Sequence, residues 1–335
     1  MAFLSSNNTI IGDDRSFFAN TSNSFTDDLA VIEVLSSPIL GSVAGFTVGG
    51  GVTSSYSNVM DRFPFATDTN ATAVGTLGQA IKFTCGQNSS IRGYTSGAYL
   101  GPPFSGNSQL IQRYDFGSNV NGVTSGQLTS IGRQSAGISS NISGYASGGN
   151  NGPSAHSNIE KFSFSAEGNS VSVGTLSIAR QGSASASSTA SGYTAGGNNP
   201  SPSNTSAVID KFPFATDTNA TSIGQLTTPK HSTIGNSSGI SGYASGANGG
   251  STTIEKYSFI TDGSASSVAT LLQALADPSS QNTPAHGYVS GGVTYTPGAT
   301  YISTIQKFTF ATDANATSVG ALSTARGDRP AGASD

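Results

Sequence analysis

Three short anchors recur in the same order six times along this chain, and that recurrence limits the fold more than any other feature of the sequence. The first is a glycine, an aromatic, two further residues and a glycine: GFTVGG from Gly45, GYTSGA from Gly93, GYASGG from Gly144, GYTAGG from Gly192, GYASGA from Gly242 and GYVSGG from Gly287. Successive copies lie 48, 51, 48, 50 and 45 residues apart. The second anchor follows after a loop: VMDRFPF (59–65), LIQRYDF (110–116), NIEKFSF (158–164), VIDKFPF (208–214), TIEKYSF (253–259) and TIQKFTF (304–310). The third reads VGTL (74–77), SGQL (125–128), VGTL (173–176), IGQL (223–226), VATL (268–271) and VGAL (319–322). A period of this length identifies a repeat protein with one supersecondary unit per period.

Each unit reads as strands. Phe162 and Phe164 stand two apart, the side-chain period of a strand, and Ile159 and Lys161 mark its other face. Glycine pairs end the strand before it, and Ser/Thr/Asn/Gly clusters mark turns. A stretch of small residues before each Gly-Tyr, such as 182–190, is long enough for a further strand, which makes four per unit. No stretch carries helical periodicity. Four short strands every 45–51 residues predict an all-β fold, a six-bladed β-propeller of four-stranded blades. The expected blades are 37–80, 81–130, 131–180, 181–230, 231–275 and 276–326. Residues 1–36 are an N-terminal arm outside the repeat, and residues 327–335 a small, polar, peripheral tail.

Only 10% of the 335 residues are charged, and Gly, Ser, Thr, Ala and Asn replace them. The periodic return of Ile, Phe, Tyr, Val and Leu argues against a disordered chain. Cys85 is the one cysteine, so the sequence offers no disulfide framework; it reads as a small buried apolar side chain. The first residues lack a basic, then apolar, leader pattern, and no apolar run approaches the length that spans a bilayer, so neither a signal peptide nor membrane insertion is expected.

The order Gly148-Gly149, Phe162, Leu176, Arg180 resembles the kelch-type propeller repeat, over residues 37–326. The departure is the Trp of the kelch fourth strand: this chain has no Trp, and Val173 and its equivalents stand there. The phrase IDKFPFATDTNATSIGQLTTPK (209–230), repeated in related form at 60–77 and 305–326, resembles propeller-repeat proteins of marine bacteriophages, notably those infecting cyanobacteria. That resemblance implies a virion protein, assembled in the host cytoplasm, that contacts other virion structural proteins or a host-surface glycan or protein, with a homo-oligomer as a further option.

Of the 14 basic residues, six occupy one repeat position (Arg62, Arg113, Lys161, Lys211, Lys256, Lys307) and five follow the fourth strand (Lys82, Arg133, Arg180, Lys230, Arg326). A residue that recurs in every unit answers a need of every unit, so these read as ion pairs and blade-to-blade contacts, together with Asp61, Glu160, Asp210 and Glu255. With a net charge of −4 and so few other cations, no nucleic-acid partner is expected. His156, His231 and His286 fall at non-equivalent positions, and no His/Cys cluster, GxSxG elbow or P-loop occurs. The expectation is therefore no enzyme, no catalytic residue, no metal site and no cofactor. Asp68, Asp217 and Asp313 in the ATDxNAT loops offer hard oxygen ligands for Ca²⁺, although an Asp/Asn turn is the simpler reading.

The loops after the second strand vary most between units, at 99–109, 150–157, 198–206 and 293–303. Variable loops on one face of a rigid scaffold form a binding surface, and Tyr99, Phe104, Tyr295 and Tyr301 are its candidate residues for stacking on a glycan or protein. In the arm, Phe17, Phe18, Leu29, Val31, Ile32, Val34 and Leu35 are candidates for docking or for closing the ring; 29–35 reads as a strand. The expected function is a non-catalytic structural or binding protein of a virion, on a tail, head or fibre; the alternative is a free carbohydrate-binding lectin or adhesin.

Overall fold

A computed structural model of the chain describes residues 3–4, 9–12, 15–18 and 40–335, apart from 117–120, 131 and 201–202. The chain divides into two compact units, Met1–Ser37 and Pro38–Asp335. The first contains an antiparallel three-stranded sheet of Phe3–Leu4, Thr9–Gly12 and Arg15–Phe18. Phe17 and Phe18 lie in its third strand, opposite Ile10 and Thr9. Leu29, Val31, Ile32, Val34 and Leu35, with the strand expected over 29–35, fall outside the described residues.

The second unit is all-β, without a helix among the described residues, in a β-propeller arrangement. One four-stranded antiparallel sheet runs Ala136–Ser139, Ser143–Ser147, Asn158–Ser163, Val171–Thr175. Three more with the same order begin with Ala184–Ser187, Ile234–Ser237 and Ser279–Asn282. The remaining repeats lie in a nine-stranded sheet. Its path is Val123–Gln127, Gly106–Asp115, Arg92–Leu100, Thr72–Lys82, Ser55–Pro64, Ala44–Val48 and Ala331–Ser334, with Cys85–Asn88 also paired to Arg92–Leu100 and Gly51–Val52 to Ser55–Pro64.

The C-terminal residues correct the sequence reading. They are not a peripheral tail: Ala331–Ser334 pairs antiparallel with Ala44–Val48, Ala331 opposite Val48 and Ser334 opposite Gly45. Ala331 and Ala333 are buried, and the strand ends the path of the nine-stranded sheet, next to Ala44–Val48. The variable segments also carry more structure than loops. Asn198–Pro200 pairs with Ser203–Thr205, Val293–Thr294 with Thr300–Tyr301, and Tyr99 sits within Arg92–Leu100.

The Gly-aromatic anchor has a steric cause. A Cβ on Gly144 would lie 2.3 Å from the ring of Phe162 on the neighbouring strand, so only glycine leaves that ring its place. The aromatic after each glycine then packs on the aromatic pair of the next repeat. Tyr145 lies 5.5 Å from Phe212 and 5.0 Å from Phe214, and Tyr193 lies 4.4 Å from Phe259. The same contact joins Phe46 to Tyr114, Tyr94 to Phe162, Tyr243 to Phe308 and Tyr288 to Phe63. Such pairs contribute about 0.5–1.5 kcal/mol each beyond the area they bury. Burial pushes the Tyr288 phenol up to about 12.

Ile159 and Glu160 point to opposite faces of one strand, yet both are buried, because a neighbouring sheet covers each face. A bulge falls at this step, between Ile159 and Glu160, and recurs between Met60 and Asp61, Ile209 and Asp210, and Ile305 and Gln306. The residue left over on the fourth strand is Val173 or its equivalent, the position that departs from the kelch pattern.

The charges do pair between repeats, but not with their sequence neighbours. Strand alternation separates Asp210 from Lys211: Asp210 turns inward to Arg180 at 2.9 Å, and Lys211 outward to Asp262 at 3.0 Å. Lys230 with Glu255 and Arg326 with Asp61 repeat the buried pair; Lys161 with Asp217, Lys256 with Asp313 and Lys307 with Asp68 repeat the outer one. The ATDxNAT aspartates thus bind lysines. Their asparagines clasp the adjacent repeat: Asn219 Oδ1 accepts from Thr175 N at 3.1 Å and Asn315 Oδ1 from Thr270 N at 3.0 Å.

Candidate binding site

The cation after the fourth strand takes one of two courses, set by its spacing from the strand's leucine. In Leu176–Arg180, Leu226–Lys230 and Leu322–Arg326 the interval is four residues, and the cation turns inward to the buried carboxylate of the next repeat. In Leu77–Lys82 and Leu128–Arg133 it is five, and the cation stays only partly buried. Gln112 stands where the carboxylate for Lys82 would be. Glu160, the counterpart for Arg133, accepts instead from Thr129 N at 2.7 Å, Ser130 N at 2.9 Å and Ser170 Oγ at 2.7 Å.

The two displaced cations meet aromatic rings. Lys82 Nζ lies 4.7 Å from the ring centres of both Tyr56 and Phe83, and 3.0 Å from Asp328 Oδ2. The Arg133 guanidinium lies 5.1 Å from the Tyr99 ring and 5.9 Å from the Phe83 ring, with Nε donating to Asn150 Oδ1 at 2.9 Å. Tyr56 and Tyr99 meet edge to face at 6.1 Å. The Tyr301 hydroxyl donates to Asp328 Oδ2 at 2.9 Å, and burial together with Asp328 pushes its pKa up.

Tyr99 and Tyr301, both expected from sequence, therefore stand at the two ends of one connected group. Tyr295 is exposed, and its phenol pKa is raised first by partial burial and then by Asp277 and Asp328. Phe104 is 61% exposed in the turn between Arg92–Leu100 and Gly106–Asp115, and no ring packs on it among the described residues. Sequence reasoning missed Tyr56, Lys82, Phe83, Arg133 and Asp328. The five-residue interval was the one signal that could have singled out Lys82 and Arg133.

Beside this group runs the central channel, a cavity of about 70 Å³ lined by first-strand residues that include Gly137, Ser139, Ser187, Ser237 and Asn282. Gly235 is tightly placed there: a Cβ would fall 1.9 Å from Ser185 O. Arg329 is buried in the channel wall, with Nη1 donating to Thr233 O at 3.1 Å and Nη2 to Ser183 O. Cys85 lines the same cavity; its Sγ lies 3.3 Å from Ser96 O, and burial raises its pKa. No group of three His, Cys, Asp or Glu side chains converges among the described residues. Cations against aromatic faces, with amides close by, suit ligand binding by stacking, hydrogen bonding and charge.

No protein-family model matches the chain, and no curated protein matches it in sequence.

Proposed function

We propose that this chain is a six-bladed propeller that serves as a non-catalytic structural and binding module of a bacteriophage virion. Two closed circuits support six blades. The aromatic contacts run from each repeat to the next and return after six steps, from Tyr288 to Phe63. The left-handed residues before the first strands are joined by backbone hydrogen bonds in the same way: Gln134 N to Phe83 O, Gly182 N to Gln134 O, Thr233 N to Gly182 O, Asp277 N to Ser232 O, Arg329 N to Asp277 O and Phe83 N to Asp328 O. On this reading the nine-stranded sheet is two blades joined at one corner, where Ile81 pairs with Leu100 and Lys82 with Tyr99.

The observation that carries the functional reading is that the side chains recurring in each repeat are consumed between repeats, as core rings, ion pairs and asparagine clasps. What remains for a partner is non-equivalent: the group around Tyr56, Lys82, Tyr99 and Arg133, and the N-terminal unit. The likeness of residues 209–230 to phage propeller repeats supports a partner on a virion or host surface. The aromatic group also favours a second reading, a free glycan-binding propeller. Purified particles separate the two. A virion module is found by mass spectrometry at fixed copy number in particles banded on a density gradient; recovery only in the soluble fraction would overturn the virion reading in favour of the free lectin.

A further inference from the structure

We propose that Arg133 is the anchor of a site for an acidic saccharide, binding a sugar carboxylate while Tyr56 and Tyr99 support the ring. The inference deepens the binding reading above by naming a ligand class, and it is independent of particle incorporation. Its basis is the broken repeat. Each equivalent of Arg133 that keeps the four-residue interval is spent on a buried carboxylate. Lys82 shares the five-residue interval but is matched by Asp328 at 3.0 Å. Among the described residues no carboxylate is paired with Arg133; its Nε is held by Asn150, which leaves the other arm of the fork for a ligand.

The neighbours of Arg133 favour a sugar. Asn107 lies directly across the hairpin from Tyr99, and its Nδ2 sits 3.3 Å from the exposed Asn151 Oδ1. Asn107 Oδ1 is buried and has no hydrogen-bond partner among the described residues. Amides beside aromatic faces match the alternating hydroxyls and apolar faces of a pyranose. Lys82 and Asp328 cancel, so one uncompensated positive charge remains, too little to hold a nucleic acid or a polyacidic peptide through charge alone.

The test is calorimetric titration of the intact chain with uronate oligosaccharides (galacturonate, mannuronate and glucuronate oligomers), with the same oligomers after carboxyl reduction, and with poly-glutamate. At least one uronate oligomer should bind, and its reduced form should bind about tenfold to hundredfold more weakly, the range of a charged hydrogen bond. Arg133→Gln should lose the same factor, Arg133→Lys less, and Tyr99→Ala should weaken acidic and reduced oligomers alike. Thermal unfolding of each variant checks the fold; if Arg133→Gln does not fold, Arg133→Lys and the acid-to-reduced ratio on the unaltered chain carry the comparison. Failure of every uronate to bind, equal binding of the reduced form, unchanged binding in a folded Arg133→Gln, or equal binding of poly-glutamate would each overturn the proposal.

Discussion

Arg326 and Asp61, 265 residues apart, form an ion pair in which neither side chain is exposed to solvent. Asp61 also accepts from Ser323 N at 2.9 Å and Ser323 Oγ at 2.6 Å, and Arg326 Nη1 donates to Val59 O at 2.9 Å. Burial lowers the Arg326 pKa, opposed by Asp61. The pair ties the last repeat to the first in the way that Arg180 and Asp210 tie two middle repeats.

Removing one member of such a pair is costlier than removing both, because the survivor remains buried and charged. Arg326→Met should therefore destabilise the protein by about 3–5 kcal/mol. Arg326→Met combined with Asp61→Leu should recover most of that loss. Urea unfolding of the two variants checks it; equal stability of the single and double variants would show that the buried charge is not what costs.

The outer ion pairs should behave differently. Lys161 reaches Asp217 at 3.1 Å, but the Asp217 side chain is 52% exposed, so water and salt screen the attraction. Lys161→Ala should cost no more than about 1 kcal/mol, and the difference should vanish in about 1 M salt. A larger, salt-independent loss would mean that the lysine stem is buried packing rather than a surface pair.

The two ends of the chain should respond in opposite ways to truncation. Removing residues 329–335 takes away the end strand of the sheet that contains Ala44–Val48, along with Arg329 in the channel wall. The unfolding transition of that variant should broaden and fall steeply in temperature, or the chain should aggregate. Removing residues 1–28 should leave the cooperative transition of Pro38–Asp335 in place while abolishing incorporation into particles. If the shorter protein still joins particles at normal copy number, the variable-loop face becomes the docking surface.

Acid should weaken the fold through two histidines. His231 is held below its ordinary pKa by burial and then by Arg329, and His286 by burial and then by Lys307, with Asp68 opposing. Below pH about 6.5 the unfolded chain takes up the proton that the folded chain resists. The stabilising contribution is thus complete above that pH and is lost as pH falls. Asp277, its pKa raised by burial, works in the opposite direction at lower pH. Melting temperatures between pH 7.5 and 5.5 should fall less in a His231→Asn, His286→Asn variant than in the unaltered chain; parallel slopes would exclude the histidines as the cause.

Much of the fold was legible because each blade repeats its own needs. The glycine before each aromatic, the alternation of Phe162 with Phe164 and the recurring cations are local patterns, and the strands form where those patterns place them. The closing strand was not legible. Its residues, AGAS, carry no β-branched or aromatic signature, and their partner lies almost the whole chain away. The ion pairs were foreseen as a class, but which carboxylate meets which cation was not legible, since adjacency in sequence means opposite faces in a strand. Of the site, Tyr99 and Tyr301 were found as aromatics in variable segments. Phe83 was not, because no other repeat has an aromatic after its fourth-strand cation; Tyr56 fills the position that Tyr301 holds in the sixth repeat, three residues before the second anchor, and that match went unused.

The position of Ala331–Ser334 also has a consequence for biosynthesis. The strand that ends the nine-stranded sheet beside Ala44–Val48 is the last of the described strands to leave the ribosome. Until residue 331 has emerged, Ala44–Val48 presents an unpaired edge that a second nascent chain can use as a template. A message truncated anywhere upstream thus yields a chain with an open flank, suited to proteolysis or aggregation and not to stable accumulation. Translation to the end of the propeller acts as a checkpoint written into the topology.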